Sequence, residues 1–157
     1  MKPFYSPTKG AMTFYAVLND MVNYIEQSPH DRYRIMVGTD SQLGEETCFV
    51  TAVIIHREGK GARYYWTREV DPTPYRLRQR IFYEASRSLA LASELTGWLA
   101  ENGLADLDVE IHLDIGEHGQ TRDLIKEVVG MVVGSGFDAR IKPDSYGASK
   151  VADKYTK

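Results

Sequence analysis

The 157-residue sequence predicts an α/β fold with a mixed sheet of five strands flanked by helices. Two observations predict it. Three apolar, β-branched stretches (33–42, 47–56 and 62–70) follow one another with only short turns between them, the pattern of an antiparallel meander. From residue 75 onward, helical periodicity alternates with strand periodicity, and strand–helix–strand units imply parallel strands joined by crossovers. The composition, 43% apolar and 26% charged, is that of an ordinary globular chain. One domain is expected over 1–157, with residues 1–30 as an N-terminal helical extension.

Taken in order, Pro3, Pro7 and Gly10 mark residues 1–10 as an irregular lead-in. A helix is expected over 13–27, where Phe14, Val17, Leu18, Met21, Val22 and Ile25 recur at helical spacing. Ser28-Pro29 stops it. The three strands of the meander come next, turning at 43–46 and at Glu58-Gly-Lys-Gly61. After Asp71-Pro-Thr-Pro74 a long helix over 75–101 carries Leu77, Ile81, Ala85, Leu89, Ala92, Leu95 and Leu99 on one stripe, and Asn102-Gly103 closes it. Strict alternation over 109–115 gives a fourth strand, with Val109, Ile111, Leu113 and Ile115 on one face and Glu110, His112 and Asp114 on the other. A helix over 121–133 with Thr121 as its N-cap, a strand over 137–142 and a short helix over 148–156 complete the order.

Four acids stand at the ends of separate elements: Asp40 on the first strand, Glu84 on the long helix, Asp114 on the fourth strand and Asp153 on the last helix. A carboxylate at the mouth of an apolar strand costs desolvation energy unless positive charge offsets it. The expectation is that the four meet and hold divalent metal. Each also has a local reading: Asp40 as an Asx cap, Glu84 as an ion pair with Arg80, Asp153 as part of a solvated lysine-rich face. Asp144, after Pro143, is a rival acid or simply a turn residue.

This order of elements and acids resembles the ribonuclease H-like fold. Gly-Thr-Asp-Ser-Gln around Asp40, Ile-Phe-Tyr-Glu-Ala around Glu84, His-Leu-Asp-Ile-Gly around Asp114 and Lys-Val-Ala-Asp-Lys-Tyr around Asp153 match it element by element. More narrowly, the first motif together with Ile-Lys-Pro-Asp-Ser-Tyr-Gly-Ala-Ser-Lys-Val-Ala-Asp-Lys is similar to the YkuK-like family of uncharacterised bacterial proteins, from about Phe4 to the C-terminus. Gln42 stands where proofreading-type exonucleases carry Glu, and Ser149 where transposase-type relatives do. The resemblance therefore implies the Asp-Glu-Asp-Asp order of the hydrolytic group: a nuclease using two Mg²⁺ or Mn²⁺ ions. Asp40 would bridge the ions, Asp114 and Glu84 complete one site, and Asp153 hold the other. The metals would clamp the attacking and leaving oxygens of a phosphodiester.

The expected partner is nucleic acid, as RNA, RNA–DNA hybrid or structured DNA. A net charge of −3 excludes binding by bulk charge but allows a local basic rim. Arg76, Arg78 and Arg80 at an unfavourable helix start, with Lys142, Lys150 and Lys154, are candidates for that rim. His118, in the 116–119 loop, is a candidate proton shuttle or an exposed loop residue. Tyr64, Tyr65 and Trp66 are candidates for base stacking or for core. Gly130 and Gly134 suggest close helix packing. The single cysteine, the lack of a membrane-length apolar run and the lack of a leader segment point to a cytoplasmic protein without a membrane partner. The alternative to the nuclease is a non-catalytic module of the same fold that binds nucleic acid or protein. An actin-like nucleotide hydrolase would need a second domain and glycine-rich phosphate loops. The oligomeric state is not legible.

Overall fold

In the computed structural model, which describes residues 2–156 and the backbone alone of Tyr146, the chain opens with a hairpin of two short strands, β1 (Phe4–Ser6) and β2 (Gly10–Met12). Helix α1 (Phe14–Glu26) follows, capped as its sequence suggests: Thr13 Oγ1 accepts from the Ala16 N–H at 3.1 Å. The meander is β3 (Tyr33–Leu43), β4 (Thr47–Arg57) and β5 (Gly61–Asp71), paired antiparallel along their lengths. Helix α2 (Leu77–Glu101) leads to β6 (Asp108–His112), which runs parallel to β3. A 3₁₀ turn (Arg122–Leu124), α3 (Ile125–Gly134), β7 (Asp138–Arg140) and α4 (Tyr146–Thr156) complete the chain.

The sheet order is β2-β1-β5-β4-β3-β6-β7, seven strands rather than the five expected. The lead-in is therefore not irregular. Tyr5 pairs with Trp66, so the hairpin extends the sheet beyond β5. Three-residue strands offer too few residues for a period to register, and only their partner reveals them. At the other end, β6 stops at His112 and β7 is three residues long. Two bonds persist there, Leu113 N–H to Arg140 O and Lys142 N–H to Ile115 O, both at 2.8 Å. Thr121 is not an α-helix cap: its Oγ1 accepts from Gly116 N–H at 3.4 Å, tying the loop together.

Strand alternation gives the sheet two unlike faces. Ile35, Val37, Val53, Ile55 and Tyr65 pack against the apolar stripes of α1 and α2 in the main core. Full burial of each aliphatic residue of that set contributes about 1.5–3 kcal/mol. On the opposite face Met36 and Ile54 meet Ala148, while Cys48, Val50 and Ala52 meet Ala152. Helix α4 lies this close because β3 has no side chain at Gly38. A Cβ there would stand 2.9 Å from Ala148 Cβ and 3.0 Å from its carbonyl carbon. Gly130 and Gly134 meet nothing within 4 Å and serve no such approach. Among the described residues no helix is long and apolar enough to cross a membrane.

Candidate functional site

The same alternation divides the end of β3 between two helices. Gly38 and Asp40 face α4, whereas Thr39 and Ser41 face α2, where Thr39 shares hydrogen bonds with Ser88 at 2.8 Å and Thr51 at 2.9 Å. Because Gly38 sits opposite His112 in the parallel ladder, Asp40 and Asp114 lie two residues further along neighbouring strand ends. Helix α4 brings Asp153 over the same place, and Asp153 hydrogen-bonds Asp40. Asp40 is buried there. Burial, then the charge of Asp114, then the hydrogen bond and charge of Asp153 push its carboxyl from 3.8 up to about 7, against the opposing bond from the Ser41 backbone N–H.

Glu84 approaches from the α2 side. It is buried, and Ser41 Oγ donates to its Oε2. Burial, aided by the charges of Asp40 and Asp114, holds its carboxyl well above the usual carboxylate range, while the Ser41 bond and the Arg80 charge oppose. Arg80 does not form the surface pair that its spacing suggested. Its Nη1 donates to the Ser41 carbonyl at 3.3 Å and to Ser41 Oγ at 3.4 Å, behind the acid. Ser41 is the residue that sequence reasoning missed; strand alternation could have set it on the face opposite Asp40, but only the fold shows that α2 covers that face.

A cleft of about 500 Å³ opens beside these acids, lined by Asp114, Lys142, Ser145, Ser149, Lys150 and Asp153. Lys142 Nζ lies 2.9 Å from Asp114 Oδ1, so a cation already neutralises part of this charge. Among the described residues, no three His, Cys, Asp or Glu side chains form a group that could hold a metal ion. Arg76 is exposed at the start of α2, where its N–H donates to Gln79 Oε1 at 3.4 Å, and Arg78 pairs with Glu127. His118 is exposed in its loop, and Asp144 is an exposed turn residue.

A second network seats α4. The Ala148 N–H donates to His112 Nδ1 at 3.3 Å, which leaves Nε2 to donate to Glu110 Oε1 at 2.8 Å. Burial raises the Glu110 carboxyl, but bonds from His112 and Arg34 win and hold it below its ordinary value. The aromatics named in the sequence act as anchors. Trp66 stacks on Tyr155 at 4.2 Å, Tyr64 and Tyr155 share a 2.8 Å hydrogen bond, and Tyr65 donates to buried Asp20 beneath α1.

A mixed sheet with this strand order and acids at the ends of β3 and β6 defines a ribonuclease H-like protein, and the chain belongs to that family: residues 16–157 match the model described as Ribonuclease H-like. It is similar to the uncharacterized protein YkuK of Bacillus subtilis (strain 168), 37% identical over an alignment 169 positions long that covers 98% of this chain and 96% of that one. No solved structure matches it.

Proposed function

We propose that the protein is a divalent-metal-dependent phosphodiester hydrolase acting on nucleic acid, with Asp40, Glu84, Asp114 and Asp153 as its metal-holding carboxylates. The observation that carries the reading is the position of Asp40, buried near the end of β3 within interaction range of both Asp114 and Asp153. Such repulsion is tolerated where cations complete the site, and hard carboxylate oxygens suit Mg²⁺ or Mn²⁺. The absence of a closed three-acid cage is compatible with this chemistry, because Mg²⁺ keeps several waters and often takes only one or two protein carboxylates plus substrate phosphate. Bound ions would activate water and stabilise the charge that develops on the phosphoryl oxygens. Asp40 is the central ligand, joined by Asp114 and Glu84 on one side and by Asp153 on the other. Ser41, itself held by Arg80, orients Glu84, and Lys142 would have to release Asp114 for that acid to serve as a ligand.

Manganese-dependent cleavage of labelled RNA, RNA–DNA hybrid and branched DNA tests the reading. Activity should appear with at least one of them and vanish in Asp40→Asn and Asp114→Asn; cleavage that survives both substitutions refutes it. The Lys142–Asp114 ion pair favours a second reading, a module that binds nucleic acid without cutting it. That reading requires affinity unchanged by EDTA and by the same two substitutions.

A further inference from the structure

Helix α4 carries Asp153 to the site, yet its footing on the sheet is smooth. Ala148 packs with Met36 and Ile54, and Ala152 with Cys48, Val50 and Ala52; both alanines are fully buried. Helices lock by setting ridges into grooves, and a methyl group offers almost no ridge. The alanines therefore set the height of α4 above the sheet and leave its rotation to other residues. Helical spacing puts Ala148, Val151, Ala152 and Tyr155 on one stripe facing the sheet. Tyr155 stands toward one flank of that stripe, and Asp153, about 100° round from Ala152, on the other. A side chain ends about 5–6 Å from the helix axis, so a roll of about 20° would carry Asp153 about 2 Å from Asp40. A metal-holding constellation has to keep its geometry to within about 0.5 Å.

Aromatic rings resist that roll. Tyr155 stacks on Trp66, with ring centroids 4.2 Å apart and planes 14° from parallel, and shares a 2.8 Å hydrogen bond with the Tyr64 hydroxyl. Tyr5 packs on Trp66 in turn, at 4.6 Å, and pairs with it across the β1–β5 ladder. Without β1, Trp66 would stand on an edge strand, free to change rotamer. The β1–β2 hairpin lies before residue 16, outside the part of the chain that matches the family. We propose that Tyr5, Trp66 and Tyr155 are positioning residues, through which the N-terminal hairpin fixes the rotation of α4 and holds Asp153 against Asp40. That the two acids are metal ligands rests on the hydrolase reading; the brace rests on the stack and on the contact between the acids.

Double-mutant cycles in the metal-free full chain test the brace. The coupling between Asp40→Asn and Asp153→Asn, read by urea denaturation in EDTA at pH 8, reports how closely the two acids are held. In Tyr155→Leu and in Tyr5→Ala that coupling should fall to about half or less, while Tyr155→Phe, which keeps the ring, retains it. Residues that served stability alone would lower every member of a cycle equally and leave the coupling unchanged, and that result overturns the proposal. Manganese affinity, followed by electron paramagnetic resonance of the free ion, is scored separately. Tyr155→Leu should bind about tenfold more weakly than the wild type and lose nothing further when Asp153→Asn is added. A coupling that falls supports the brace even if no manganese binds, a result that counts against the hydrolase alone. An unchanged coupling with manganese binding that Asp40→Asn abolishes keeps the hydrolase and removes the brace.

Discussion

Replacing Asp40 by asparagine should stabilise the protein at pH 8 and leave its stability nearly unchanged at pH 4. Asparagine keeps the shape of the carboxyl and removes its charge. In the folded chain Asp40 holds its proton up to about pH 7; unfolded, it releases it near 3.8. An acid raised in this way favours folding fully below 3.8, and that contribution is lost as pH rises through about 7. Each tenfold change in proton affinity is worth about 1.4 kcal/mol, so the gap sets a ceiling of about 4 kcal/mol at pH 8. Side-chain rotation and water entry reduce it, and about 2–3 kcal/mol is expected. At about 2–4 °C per kcal/mol for a chain of this length, the variant should melt about 4–12 °C above the wild type at pH 8. Urea denaturation of both proteins in EDTA at half-unit steps from pH 4 to 8.5 gives the difference, in which distant titrating groups cancel and the relief of Glu84, which the Asp40 charge also raises, adds in the same direction. A difference that stays flat with pH, or an Asp40→Asn protein less stable at pH 8, refutes the electrostatic account of the site.

Further consequences follow from the same contacts. Manganese should recover at pH 8 the stability that Asp40 costs, about 2.7 kcal/mol at a hundred times the dissociation constant, and give no gain in Asp40→Asn; calorimetric melting with and without EDTA measures it. Gly38→Ala should lower stability by about 1–3 kcal/mol, because the added methyl meets Ala148 Cβ at 2.9 Å and Ser149 N at 3.1 Å, with hydrogen exchange rising in α4 before the rest of the sheet. His112→Phe removes the acceptor of the Ala148 N–H and a donor to buried Glu110, and should cost about 2–4 kcal/mol by urea denaturation, more than Tyr155→Phe, which loses a single hydroxyl bond. Glu84→Gln should leave the fold intact or more stable at pH 8, since the amide oxygen still accepts from Ser41 and no buried charge remains.

Local chemistry determined much of this protein before any contact was known. The apolar run of 33–42 set Asp40 at a strand end, the stripe from Leu77 to Leu99 defined α2, and the serial order of Asp40, Glu84, Asp114 and Asp153 followed from element ends. These are properties of neighbouring residues, repeated often enough along the chain to register. Tertiary structure decided the rest. The β1–β2 hairpin exists as sheet only through Tyr5 against Trp66, and Arg80 turned from Glu84 to Ser41 once α2 docked on β3. Helix α4 could approach Asp40 because Gly38 meets Ala148 and His112 accepts from its first turn. Burial and charge are pair properties set by residues far apart in the chain, so Asp40 reads from sequence as an acid at a strand end, and only in the folded molecule as a carboxyl that keeps its proton to about pH 7.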